Sequence, residues 1–312
     1  MSASSAAPSA GPAAAEQDVW TVRRILEWTT GFLRQKGLES PRLEAEILLA
    51  HARGCPRIRL YTDFNTPLSD TERATMRELV TRRSRREPIA YLVGHREFYG
   101  RSFDVTPAVL IPRPETETLI DVCLELIPTD RPAQLIEVGI GSGCIAVTLA
   151  RQRPFCQLTA TDISSAALQI AARNAARHEV ADRVTLLEGN ALQPLLPTST
   201  LFDGIVSNPP YVTDGERGQL PPEIDLHEPA LALYAGPDGL DVVRSIITHA
   251  PSLLKPGAFI ALELDPQQCP LVSSLLKHAG FDHIRTHQDA AGRDRIVQSV
   301  FAEPGPTEPQ LG

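Results

Sequence analysis

Asn208-Pro209-Pro210-Tyr211 follows directly on the short apolar run from Phe202 to Ser207. In such a turn the two prolines remove two backbone donors and stiffen the chain, which leaves nearby carbonyls pointing outward unpaired. The segment is therefore rich in hydrogen-bond acceptors. The side-chain oxygen of Asn208 can take one N–H and the main-chain carbonyl of Pro209 a second, an arrangement that suits a planar NH2 group. A nitrogen of that kind is a poor nucleophile, because its lone pair is delocalised into the adjoining π system. A catalyst must hold both N–H groups and aim the lone pair at an electrophile. Tyr211 can lay its ring on the planar acceptor group. No strong base is required, since the nitrogen becomes very acidic once it is alkylated. The competing reading is an ordinary Pro-Pro turn that ends a strand.

A second constellation supplies the electrophile. The apolar run from Gln134 to Val138 leads into Glu137-Val138-Gly139-Ile140-Gly141-Ser142-Gly143, after which an Ala- and Leu-rich helical pattern begins. Glycines permit a tight turn and close approach of a ligand to amides at a helix N-terminus. The spacing is GxGxG, unlike the GxGxxG of pyrophosphate-binding dinucleotide sites, and an acidic residue closes the strand. Together these favour a cofactor with no phosphates and a cationic amino-acid portion, S-adenosylmethionine, with S-adenosylhomocysteine as its product; NAD is the weaker competitor. Asp162, at the end of the next strand, stands where a carboxylate accepts both hydroxyls of a ribose, with Ile163 beside it. Asn190 stands where it could accept from the adenine amine. The cofactor set is thus Glu137, Gly139, Ile140, Gly141, Gly143, Asp162, Ile163, Asn190 and Asn208. No histidine or cysteine spacing suits a metal.

These residues need a scaffold. Short apolar runs at 134–138, 157–163, 184–188, 202–207 and 258–264 alternate with amphipathic segments, which implies a doubly wound, mostly parallel α/β sheet. Runs at 283–287 and 295–301, close around Gly292, suit an antiparallel edge hairpin. Upstream, residues 18–88 read as a small all-helical domain, with Gly37 as a C-terminal cap, Ser40-Pro41 opening a second helix and a Ser69/Glu72 capping box opening a third that Pro88 ends. Between them, residues 89–112 carry β-type residues punctuated by Gly94 and Gly100, the pattern of a linking hairpin. The catalytic domain then spans 113–302, and residues 1–17 and 303–312 read as disordered tails.

With 312 residues the chain suits two domains. It lacks an apolar stretch of about 18 residues, a signal peptide and a transit peptide, so a soluble cytoplasmic protein with no membrane partner is expected. Five scattered cysteines argue for reduced thiols. Charge is uneven: residues 18–88 carry 14 basic against 10 acidic residues, the rest 16 against 28. The densest basic run, Arg82-Arg83-Ser84-Arg85-Arg86, reads as a solvated helix end, with contact to an acidic partner as the lesser reading.

The chain also resembles the release-factor glutamine-N5 methyltransferases of the HemK/PrmC type from about Trp20 to Phe301. Four stretches carry the likeness: Pro88 to Gly94 with Glu97-Phe98-Tyr99-Gly100; Ile111-Pro112-Arg113-Pro114-Glu115-Thr116-Glu117; the Gly139 loop; and Asn208 to Tyr211 with Glu228-Pro229 and Gly239-Leu240. The resemblance implies a Rossmann-like class I methyltransferase sheet that methylates N5 of the glutamine in the Gly-Gly-Gln loop of class I peptide chain release factors. It implies that the helical domain helps engage the factor, that Arg113 borders the glutamine pocket and that Phe103 forms part of its wall. Two positions depart from the family pattern: Glu263-Leu264-Asp265-Pro266 replaces its usual Glu-His-Gly, and Asn190 stands where an acidic residue is frequent. The rival from another class is a nucleic-acid methyltransferase acting on adenine N6 or cytosine N4. Such an enzyme flips a base and grips phosphates, which calls for a basic surface. The acidic catalytic part argues against it, so DNA is not expected as a partner, and a monomer is.

Overall fold

The computed structural model describes residues 19–302, and both stretches read as tails lie outside the described residues. The chain divides into two compact units at the Arg85–Arg86 junction. In the first, α1 (Val22–Gln35) buries Val22, Ile25, Leu26, Thr29, Thr30 and Leu33, the stripe that a 3.6-residue period demands. Gly37, at φ +69°, follows its end. The second helix, α2 (Pro41–Ala52), starts on proline, although the Ser40 side chain makes no cap bond. After the single turn α3 (Arg59–Thr62), α4 (Asp70–Ser84) opens with the reciprocal capping box of Ser69 and Glu72. The basic run at its end is not uniformly solvated. Arg83 is 5% exposed and donates to both carboxylate oxygens of Glu44, at 2.8 and 3.0 Å, the pairing that a buried guanidinium requires.

In the second unit the stretch 89–112 departs from the hairpin expected of it. Ile89–Val93 is a short helix, α5, and only β1 (His95–Phe98) and β2 (Arg101–Asp104) pair. Pro88 sets the N-terminal side of α5 and Gly94, at φ +81°, closes it. Ala90 and Tyr91 pack with Val105, Val109 and Ile111, and that burial overrides the strand preference of the β-branched residues.

Beyond α6 (Thr116–Leu126) lies the main sheet. Its strands are β3 (Ala133–Val138), β4 (Cys156–Asp162), β5 (Val184–Glu188), β6 (Phe202–Ser207), β7 (Leu254–Glu263), β8 (Phe281–Gln288) and β9 (Asp294–Phe301), in the order β5-β4-β3-β6-β7-β9-β8. The pairs from β5 to β7 are parallel, while β9 runs antiparallel to both β7 and β8. The helices are α7 (Cys144–Gln152), α8 (Ser165–Arg177), the single turn α9 (Pro222–Asp225), α10 (Asp241–His249) and α11 (Cys269–His278).

Strands β3, β6, β7 and β9 each feed two cores. Leu135 and Phe259 join residues of α6, α7 and α8, whereas their neighbours Ile136 and Ile260 join residues of α10 and α11. A sheet covered on both faces explains why its strands read as continuous apolar runs. The winding reverses between β3 and β6, and a crevice at the C-terminal strand ends follows from that topology. No helix among the described residues is long and apolar enough to cross a membrane.

Candidate active site

A cavity lies at the C-terminal ends of β3, β4 and β6. It is lined by Gly139, Ile140 and Gly141 from the first, Asp162 and Ile163 from the second, and Asn208 and Pro210 from the third, with Asn190 and Arg113 also on its wall. The glycine loop is held to the neighbouring strand: the amides of Gly139 and Ile140 donate to the Thr161 carbonyl at 2.9 and 3.0 Å. Gly139 and Gly141 have φ of +74° and +53°, and a Cβ at either would meet no atom within 4 Å. That open space before the loop is room for a ligand against the backbone. Gly143 does not line the cavity. It caps α7 at φ +80°, and a Cβ there would press on Ala171 of α8 at 3.3 Å, so its smallness serves helix packing.

Asp162 accepts from Gly141 N through Oδ2 and from Ser164 N through Oδ1, both at 2.9 Å. Those bonds fix the plane of the carboxylate while leaving each oxygen a second lone pair. Glu137 lies beneath the loop, 1% exposed and off the cavity wall, and neither of its carboxylate oxygens has a hydrogen-bond partner among the described residues. Burial drives its carboxyl well above the usual range and the Asp162 charge adds to it; the Ala146 amide opposes this from beyond hydrogen-bonding geometry. An orphaned buried acid demands a compensating donor or cation.

Phe103 is not a pocket wall. It is 0% exposed in the core, edge-on to Phe98 at 6.1 Å and against the His178 ring at 4.8 Å. The alternation of β2 turns it inward. Pro209 is buried and Tyr211 half-buried, and neither lines the cavity. The Tyr211 carbonyl accepts from Gln268 Nε2 at 3.0 Å, and burial pushes its phenol up to about 12.

Gly239 is what lets this turn close. Its φ is +72°, and a Cβ would come within 2.1 Å of the Tyr211 carbonyl oxygen. Gly239→Ala combines a left-handed alanine with overpacking, a cost of about 3 kcal/mol. Calorimetry should show a melting midpoint lower by roughly 10 °C, together with reduced turnover.

Several contributors were not visible as site residues in the sequence. Asn208 Nδ2 donates to Thr116 Oγ1 at 3.1 Å, and Glu263, at the end of β7, is 1% exposed with its Oε2 lacking a hydrogen-bond partner among the described residues. Burial lifts the Glu263 carboxyl to about 7, opposed by the nearby Thr116 hydroxyl and the Arg295 charge. Glu228, in the loop after α9, is 6% exposed; it accepts from Arg113 Nη2 at 2.5 Å and from Ile111 N at 3.2 Å, clamping the segment before α6. Asn174 of α8 is fully buried. It donates to the Ser142 carbonyl at 2.8 Å and exchanges bonds with the Asp104 backbone, tying the glycine loop to β2. Its signal was a polar residue on the stripe Ala167, Ile170, Ala171, Asn174, Ala175.

Comparison with known proteins bears on the same regions. The PrmC N-terminal domain matches residues 24–94, and the methyltransferase small domain matches residues 118–220. A release factor glutamine methyltransferase of Geobacter sulfurreducens is 44% identical over 280 residues, 90% of this chain and 96% of that protein. One from Rhodopirellula baltica is 45% identical over 283 residues, 89% of this chain and 95% of that protein. Among solved structures, the hMettl16 catalytic domain in complex with MAT2A 3'UTR hairpin 1 superposes with a TM-score of 0.55 at 18% identity, over 72% of this chain and 80% of that chain, a likeness of fold alone.

Proposed function

The chain belongs to the release factor glutamine methyltransferase family, and from that premise we propose that it moves a methyl group from S-adenosylmethionine to the side-chain amide nitrogen of the glutamine in the Gly-Gly-Gln loop of a class I release factor. The observation that carries this reading is the joining of two constellations in one cavity: a glycine loop with an oriented carboxylate, and Asn208 with its amide oxygen turned away from Thr116.

The residues present suit the cofactor. Asp162 would accept the two ribose hydroxyls, Asn190 the adenine amine, and the space before Gly139 and Gly141 would admit the methionine portion. An ammonium brought to that end would draw the Glu137 carboxyl, buried and unpartnered beneath the loop, towards its ionised form. Bound there, the cofactor would supply a methyl on a sulfonium, an electrophile that needs no further activation.

Asn208 Oδ1 accepts one N–H of the incoming amide and the Pro209 carbonyl the other, and two fixed acceptors set the lone pair in line with the methyl. Tyr211 and Pro210 stiffen the turn that carries both. The proton leaves after methylation to water, because the methylated amide nitrogen is strongly acidic, so no side-chain base is invoked.

To test this, purified release factor is incubated with methyl-labelled cofactor, and the incubation is repeated with its loop glutamine changed to asparagine or alanine. Label should enter the native factor and be lost from both variants. Undiminished label in the variants, or transfer to nucleic acid instead, would overturn the reading.

A further inference from the structure

The β1–β2 hairpin lines no part of the cavity, yet one side chain joins it to the glycine loop. That side chain is Asn174, fully buried on α8. We propose that Asn174 is a positioning residue for the cofactor, holding the Ser142 carbonyl, and with it the Gly141-Ser142-Gly143 turn, in the shape that binds; this rests on the reading of the cavity as the S-adenosylmethionine site.

Helix α8 comes close to the loop: a Cβ on Gly143 would lie 3.3 Å from both Cα and Cβ of Ala171. One turn further along, Asn174 reaches the loop and β2 together. The Asp104 amide donates to Asn174 Oδ1 at 2.8 Å, and Asn174 Nδ2 donates to the Asp104 carbonyl at 3.0 Å and to the Ser142 carbonyl at 2.8 Å. All three partners are backbone groups. An amide N–H can only donate and a carbonyl can only accept, so the side chain has one orientation at any pH and both hydrogens of its NH2 are committed. The strand that serves as its anchor is itself fixed on α8. Arg177 pairs with Asp104, and His178 Nε2 lies 2.9 Å from the Ser102 carbonyl; with Asn174 these residues share one helix face, at i, i+3 and i+4.

The amides of the loop are tied elsewhere: Gly139 and Ile140 to Thr161, Gly141 to Asp162, and Gly143 to the Ile140 carbonyl at 2.8 Å. The Ser142 carbonyl is held by Asn174. Ser142 is 3% exposed, so without that bond its carbonyl is a buried acceptor left unpaired, which is costly. The peptide joining Ser142 to Gly143 can turn to relieve that cost, because glycine opposes such rotation least. Its rotation would carry the Gly143 amide off Ile140 and distort a loop whose residues Gly139 to Ser142 all line the cavity.

The test separates cofactor binding from folding. Asn174→Leu removes all three bonds at nearly constant size. Its Kd for S-adenosylmethionine by titration calorimetry should rise about tenfold, the scale of one lost hydrogen bond, while kcat at saturating cofactor stays within about threefold of wild type. Phe103→Leu takes packing from the same hairpin but none of these bonds, so it should lower the melting midpoint and leave Kd within about twofold. Should the leucine variant not fold, Asn174→Ala, which shortens the side chain out of reach of Ser142, carries the test with the same expected rise. A folded Asn174→Leu or Asn174→Ala protein with Kd within about twofold of wild type overturns the proposal. So does a Phe103→Leu protein whose Kd rises as far, which would mark a general loosening of the hairpin, and so does an Asn174 variant whose kcat at saturation falls as far as its affinity. The cofactor reading is judged separately: wild-type protein that does not bind S-adenosylmethionine refutes that reading, and wild-type protein that binds it while Asn174→Leu binds equally well refutes only the positioning role.

Discussion

Asn208→Ala should leave S-adenosylmethionine affinity within about threefold of wild type and lower kcat about 10³-fold, the loss expected when a preorganised polar group at the reacting atoms is removed. The reason lies in what alanine deletes. Asn208 contributes nothing to the sheet beyond its backbone, and its side chain spends its NH2 on Thr116, which leaves one oxygen for the substrate. Without that oxygen the substrate nitrogen keeps a single fixed acceptor, the Pro209 carbonyl, and rotates about it. The lone pair then samples directions away from the methyl. Cofactor binding rests on other residues, chiefly at the ends of β3 and β4, and should survive. Calorimetric titration with S-adenosylmethionine beside single-turnover methylation separates the two quantities. Loss of cofactor affinity in proportion to kcat would reassign Asn208 to the cofactor.

Asp162→Ala has the opposite signature. Two hydrogen bonds to a charged acceptor are removed from the ribose, worth together about 3 kcal/mol, so Kd for S-adenosylmethionine should rise on the order of 10²-fold. Alanine also frees the amides of Gly141 and Ser164, which the carboxylate now holds at 2.9 Å each. The glycine loop would loosen, adding to the loss. Asparagine should be nearly as harmful: one end of its amide is NH2, and that end would face either the Gly141 or the Ser164 amide, a donor against a donor. At saturating cofactor the turnover of either variant should recover most of the wild-type value. An unchanged Kd would remove Asp162 from the cofactor site.

How much of this was legible before the structure differs by kind of residue. Strands β3 to β7 stood out because a sheet buried on both faces writes itself as apolar runs, and the loop and tetrapeptide stood out because glycine and proline constrain the backbone locally. Asp162 followed from its register at a strand end. By contrast, Ile89 to Val93 looked like a strand from its side chains and became α5 because burial with Val105, Val109 and Ile111 decided the matter. Phe103 was assigned to a wall by likeness and turned inward by the pleat of β2. Arg83 sat in a run that looked solvated, while its partner Glu44 lies on another helix.

Thr116, Glu263 and Asn174 share one property that hides them. Each is a polar residue whose meaning is a tertiary contact, and neither spacing nor propensity encodes a hydrogen bond across 92 residues, the separation of Thr116 and Asn208. Of the three, Asn174 alone broke a local pattern, as a polar residue on an alanine-rich buried stripe.

The central claim, methylation of a glutamine side-chain amide, is tested most directly by tandem mass spectrometry of the release factor after a single incubation with enzyme and cofactor. The account predicts one added methyl group, located on the side chain of the loop glutamine, and none on that residue when Asn208→Ala replaces the wild-type enzyme. A methyl group on any other residue, or an unmodified glutamine after cofactor has been consumed, would contradict it.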